Sequence, residues 1–108
     1  MSNKKLKTDL LKTHRLVAGS PLVGSLCRVT KGHERGELCV IVGETENGSV
    51  LTADGRRRKL ARPKLKNLKH LELYGIIAEV SVLLGSKRMT DRKLRQILFQ
   101  RRDYSAER

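Results

Sequence analysis

The sequence predicts a mainly β protein, a small five-stranded barrel followed by a two-helix extension. Two observations carry this. Between Leu22 and Leu71, short apolar and β-branched runs are separated by glycine-bearing turns, the pattern of small antiparallel sheets. After Tyr74, apolar residues recur every three or four positions instead, the period of a helix.

Taken in order, the chain opens with a basic arm, residues 1–21, ended by Gly19-Ser20-Pro21. Leu6, Leu10, Leu11 and Val17 fall loosely at helical spacing, but nothing caps a helix there and the composition suits a flexible arm. Leu26 to Thr30 is the first strand, with Cys27 and Val29 on one face and Arg28 on the other. Lys31-Gly32-His33-Glu34-Arg35-Gly36 has the composition of a connection between antiparallel strands. Leu38 to Glu44 is nearly continuous apolar and β-branched sequence, as a buried barrel strand should be. Asn47-Gly48 marks a hairpin, because both residues tolerate positive φ. Val50 to Ala53 follows as the third strand. Asp54-Gly55 is a second turn, Arg57 to Leu60 a fourth strand ended by Pro63, and Lys69 to Leu71 a fifth. Five strands this short suit an SH3-like barrel over residues 22–72 better than an OB-like one.

Residues 73–102 form the helical extension. Ile77, Val80 and Leu84 share a helical face over 74–85, flanked by Ile76 and Leu83, and Gly85 is placed to end it. Thr90 is a good N-cap for a helix from Asp91 to about Arg102, with Leu94, Ile97 and Leu98 as its apolar stripe. Residues 103–108 form a frayed tail.

Composition limits the function. A length of 108 residues suits one domain, and Phe99, Tyr74 and Tyr104 are the only aromatics, so the core must be Val, Leu and Ile. The net charge of +13 is spread evenly: +4 over residues 1–21, +5 over 22–72 and +4 over 73–108. Such uniform basicity points to nucleic acid, while the scarcity of aromatics argues against a membrane-surface role. No apolar stretch of signal length follows the N-terminus and no run is long enough to span a bilayer, so the expectation is a cytoplasmic protein. Cys27 and Cys39 lie in apolar strand contexts, where a reduced cysteine serves as a small hydrophobe.

The densest charge lies in Arg56, Arg57, Arg58, Lys59, Arg62, Lys64, Lys66 and Lys69, eight cations in fourteen residues with no acid among them. An ordinary solvated surface would intersperse acids, because charge at this density repels itself. Phosphate contact explains it better. The candidate RNA-binding set joins these eight to Lys31, Gly32, His33, Arg35 and Gly36, since glycines let backbone N–H groups approach phosphate closely. Cys27, His33 and Cys39 match no common zinc spacing and lack a fourth ligand, so no metal or cofactor is expected. His14, His33 and His70 are scattered, and no Ser or Cys sits in a nucleophile motif, so the chain reads as no enzyme.

Leu26 to Glu44, with Gly32 and Gly36 between its strands, resembles the KOW motif. In that strand–loop–strand module a glycine about eleven residues from the start permits a tight turn beside RNA, and Gly36 holds that place. Many such segments carry a second glycine three residues later, where this chain has Cys39. The continuation VLTADGRRRKLARPKLKNLKHL, then a short helix, Gly85 and a basic helix led by Thr90-Asp91, is similar to KOW-domain RNA-binding proteins of Gram-positive bacteria. These in turn resemble archaeal and eukaryotic large-subunit ribosomal proteins with KOW domains. The likeness covers roughly Val23 to Ile97 and implies an SH3-like fold and ribosomal RNA as ligand.

The expected function is non-enzymatic binding of structured ribosomal RNA, by a ribosomal or ribosome-associated protein with ribosomal proteins as further partners. With so few aromatics, base stacking is hard to build, and Tyr74 reads as a packing residue. The alternative is a protein-interaction module of the transcription or translation machinery, and charge alone does not separate RNA from DNA. Neither a membrane nor a small-molecule substrate is expected.

Overall fold

The computed structural model describes residues 15–103; the expected arm's residues 1–14 and the tail from residue 104 lie outside them. Among the described residues there are five strands: β1 (Ser25–Val29), β2 (Leu38–Glu44), β3 (Ser49–Ala53), β4 (Lys64–Asn67) and β5 (Leu71–Ile76). A 3-10 turn, Leu68–His70, joins β4 to β5, and two helices follow, α1 (Ala78–Gly85) and α2 (Asp91–Gln100). All pairings are antiparallel in one sheet of order β4-β3-β2-β1-β5. No ladder joins β4 to β5 among the described residues, so the expected closed barrel is here an open sheet with those two strands at its edges.

Both faces of the sheet are buried, which is why β2 reads as unbroken apolar sequence. On one face Leu26, Val40 and Ala53 pack with Ile77, Val80, Leu94, Ile97 and Leu98 from the helical extension. On the other, Cys27, Val29, Cys39, Ile41, Val50 and Leu71 form a second cluster, closed by Leu22 and Leu68. Adjacent residues in β1 and β2 therefore alternate between clusters, as the two-residue period requires. Leu94 is fully buried, so Leu94→Ala is expected to cost ~2–5 kcal/mol in an unfolding titration.

The first three strands and the Asn47-Gly48 hairpin lie where the sequence puts them, with Gly48 at φ +88°. The fourth does not. Arg57 to Leu60 is no strand, because the Asp54 carboxylate accepts hydrogen bonds from the backbone N–H groups of Arg56 (2.8 Å) and Arg58 (2.9 Å). The Arg58 carbonyl accepts from the N–H groups of both Asp54 and Gly55. This winds the arginines into a local loop of the kind aspartate favours. Pro63 then precedes β4 rather than ending a strand, a position where its missing N–H does no harm.

At the fifth position, Lys69 and His70 belong to the 3-10 turn, with the Asn67 side chain accepting from the Lys69 N–H at 2.9 Å. β5 therefore starts at Leu71 and runs to Ile76, across the boundary expected at residues 72 and 73. The first helix begins at Ala78 instead of Tyr74. It includes Gly85, and the left-handed turn that follows falls on Lys87 at φ +61°.

The second helix matches its signals: the Thr90 hydroxyl accepts from the Lys93 N–H at 3.1 Å, and Leu94, Ile97 and Leu98 are buried. Glu79 and Lys93 tie the two helices with an ion pair at 3.1 Å. Residues 15–17 of the expected arm are held against the β2–β3 hairpin, Val17 N–H donating to the Glu44 carbonyl and Glu46 N–H to that of Arg15.

Candidate nucleic-acid interface

The loop between β1 and β2 is closed by backbone bonds at its base: Val29 N–H to the Glu37 carbonyl, 3.0 Å, and Gly36 N–H to that of Val29, 2.7 Å. Gly32 and Gly36 take φ of +92° and +93°, and a Cβ at either would meet nothing within 4 Å. Their requirement is torsional rather than steric. Lys31, His33 and Arg35 are exposed around them. Gly36→Val, which forces a β-branched residue into that conformation, is expected to cost ~1–3 kcal/mol in a thermal melt.

Glu34 lies in the same loop and was given no role by the sequence reading. Its carboxylate reaches Arg58 Nε at 3.0 Å and Lys66 Nζ at 3.1 Å, so one acid fastens the loop to two separate parts of the basic run. Its side chain is only 12% exposed, and that burial works to raise its pKa. The hydrogen bonds and charges of Lys66, then Arg58, outweigh it and hold the carboxyl below the ordinary value of 4.5.

A carboxyl with a depressed folded pKa adds stability above its unfolded pKa and loses it as pH falls through the folded one. The protein should therefore lose stability as pH drops from about 4.5 downwards. Glu34→Gln should flatten that acid limb of a Tm-against-pH curve. At neutral pH the loss should come mainly from the Lys66 pair, 12% exposed on both sides, because Arg58 is 38% exposed and solvent screens its pair.

The remaining candidates divide by setting. Lys64 and Lys66 are two apart on β4 and share a face. The Thr30 N–H donates to the His70 carbonyl at 2.8 Å, which brings the turn holding Lys69 beside the start of the glycine loop. Arg57, Lys59, Arg62 and Lys69 are exposed, and among the described residues their side chains make no ion pair. Loop and basic run thus adjoin, with Glu34 as the fastening.

A second group was missed. Arg28, Arg56, Arg92, Arg95, Phe99 and Arg102 line an open cleft of about 810 Å³ between Gly36–Leu38, the Asp54–Arg56 turn and α2. Arg28 donates to the Tyr74 hydroxyl at 3.1 Å and the Gly36 carbonyl at 2.7 Å; Arg95 donates to the Gly55 carbonyl at 2.8 Å. Arg92, Arg95, Phe99 and Arg102 are spaced three, four and three apart, one face of a helix, so the signal was available. Phe99, distant from the sheet in sequence, is carried to it by α2.

The cysteines lie apart from these surfaces. Cys27 and Cys39 face each other across β1 and β2, both buried, with Sγ atoms 3.2 Å apart. The hydrogen bond with the Cys39 thiol, reinforced by burial, drives the Cys27 pKa far up, so it stays a protonated packing group. Among the described residues no three His, Cys, Asp or Glu side chains converge as a metal set. No described helix is long and apolar enough to cross a membrane.

No family model matches the chain. It is 37% identical over 57 residues to a Bacillus subtilis (strain 168) protein named "Putative ribosome-binding protein YbzG", an alignment covering 53% of this chain and 77% of that one. The chain belongs to the same family as that protein.

Proposed function

We propose that this family member is a non-enzymatic, cytoplasmic ribosome-binding protein that contacts ribosomal RNA through the glycine loop and the basic run. The observation that carries the reading is the double ion pair of Glu34, which fastens the loop to Arg58 and Lys66 and makes two basic segments one surface. The name of the Bacillus relative supports the ribosome as partner. The KOW-like strand–loop–strand of Leu26 to Glu44, with positive φ at Gly32 and Gly36, supports RNA as the contacted component and an SH3-like descent for the sheet. Binding is then mainly electrostatic, with phosphates as its targets.

Cosedimentation with purified ribosomes tests this. If five or six cations neutralise phosphates, affinity falls by roughly two to three orders of magnitude between about 50 and 200 mM salt. A second reading has its own observation: Leu73 and Ile76 on β5 and Val82 on α1 are 39%, 50% and 67% exposed. Large apolar side chains left in water suit a protein partner. Ribosome association that survives high salt unchanged would assign the contact to such apolar groups and sink the phosphate account.

A further inference from the structure

We infer that the arginine cleft beside α2 holds a single unpaired nucleotide of the RNA, its phosphate on the arginines and its base against Phe99. The inference rests on the nucleic-acid reading above and adds what that reading lacks, a place where a base is touched.

Four features of the cleft select this occupant. Its cations are all arginines, although the chain has eleven lysines. Arginine offers a planar fork that grips phosphate with two parallel hydrogen bonds and stacks on flat rings; lysine offers only a point charge. Second, the cleft keeps a positive balance, with Glu37 and Asp54 as the acids among its five arginines. One Asp54 oxygen is already engaged by the Arg56 and Arg58 N–H groups.

Third, two of the arginines are set in place before any ligand arrives, Arg28 by Tyr74 and Gly36, Arg95 by Gly55. Arg56 and Arg92 are exposed, and their side chains make no hydrogen bond or ion pair among the described residues. Fourth, Phe99 is 62% exposed, an apolar ring left in water on the cleft wall. The Arg102 guanidinium lies 3.9 Å over the ring and is itself held by its bond to the Phe99 carbonyl. A guanidinium on one face of a ring, with the ring still largely in water, is a platform for a flat, electron-rich partner.

The size of the cleft, about 810 Å³, falls in the range of small-ligand sites, and it is open rather than enclosed. An open cleft admits a nucleotide still joined to its strand. A base locked in a stem cannot reach the ring, so the occupant must be bulged or in a loop.

The test uses the full chain and two hairpin RNAs of one stem sequence, one with a single bulged adenosine and one with that adenosine paired to an added uridine. Affinities are read by fluorescence anisotropy at one salt concentration. The wild-type protein should prefer the bulged hairpin by roughly tenfold, the scale of one base–aromatic stack. Phe99→Ala should abolish the preference while changing affinity for the paired hairpin by less than about twofold, and Phe99→Trp should keep it. Circular dichroism checks that both variants fold, as substitution at an exposed position should allow.

Equal binding of the two hairpins by the wild-type protein overturns the cleft assignment and leaves phosphate binding intact. So does a Phe99→Ala protein that retains the preference or loses affinity for both alike. Failure to bind either hairpin overturns the nucleic-acid reading and this inference with it.

Discussion

Replacing Arg57, Lys59, Arg62 and Lys69 together by glutamate should weaken ribosome binding by roughly a thousandfold or more, the largest functional effect expected of any surface change. Each reversal removes two charge units, so four take the chain from +13 to +5. Each also removes one phosphate contact and sets a repulsive carboxylate where phosphate must approach. The dependence of log affinity on log salt should flatten by about one unit for every lost contact.

The choice of these four follows from the structure. Charge reversal at Arg58 or Lys66 would put a new carboxylate against Glu34, and lost binding could then mean a disrupted loop. The four chosen side chains are exposed and make no ion pair among the described residues, so the folded state should tolerate them. A variant that melts like the wild type and still cosediments with ribosomes at undiminished affinity removes the basic run from the contact surface.

Why Glu34 escaped the sequence reading is instructive. It sits among Lys31, Arg35 and two glycines, and nothing local says that its partners are 24 and 32 residues away. The short apolar and β-branched runs that fixed β1, β2 and β3 are local, and so is the cap at Thr90, which is why these were legible. The run Arg57 to Leu60 misled because a tight-turn dipeptide followed by a few residues before a proline looks like a hairpin. What decides against it is the Asp54 side chain taking two N–H groups that a strand would have used. The start of β5 was obscured differently. Glu72 is exposed and Tyr74 only half-buried on an edge strand, so the alternation around Leu71 and Leu73 looked too polar, and Ile76 and Ile77 drew the helix assignment forward.

The arginine cleft combines both kinds of information. Its helix face, Arg92, Arg95 and Phe99, follows from spacing alone, with Arg102 two residues past the end of α2. That this face meets Arg28 and Arg56 depends on how α2 docks, and docking is set by contacts between segments remote in sequence. The most telling of these is at Gly55. Asp91 accepts the Leu60 N–H at 2.8 Å, Arg95 donates to the Gly55 carbonyl at 2.8 Å, and the helix backbone lies directly against the glycine.

Gly55→Ala should therefore be among the most damaging single substitutions in the protein. The residue has φ +81°, and a Cβ there would stand 2.5 Å from the Asp91 carbonyl oxygen and 3.0 Å from Arg95 Cγ. The arginine chain could swing aside; the Asp91 carbonyl is backbone in the first turn of α2 and can yield only if the helix moves. Torsional strain of ~1–3 kcal/mol and overpacking of ~1–3 kcal/mol should lower Tm by roughly 10 °C or more, since each kcal/mol is worth ~4–8 °C in a domain of this size.

Gly36→Ala supplies the control. Gly36 has nearly the same torsion, φ +93°, with no atom within 4 Å of the new Cβ, so it carries the strain without the clash. The Gly55 variant should melt well below the Gly36 variant, with the difference measuring how tightly α2 is seated. It should also lose protection of the Leu60 amide in hydrogen exchange, because the helix that carries Asp91 has been pushed off its acceptor position. Equal melting of the two variants, with the Leu60 amide still protected, would show that α2 is not held against the Asp54-Gly55 turn, and the cleft between them would lose its wall.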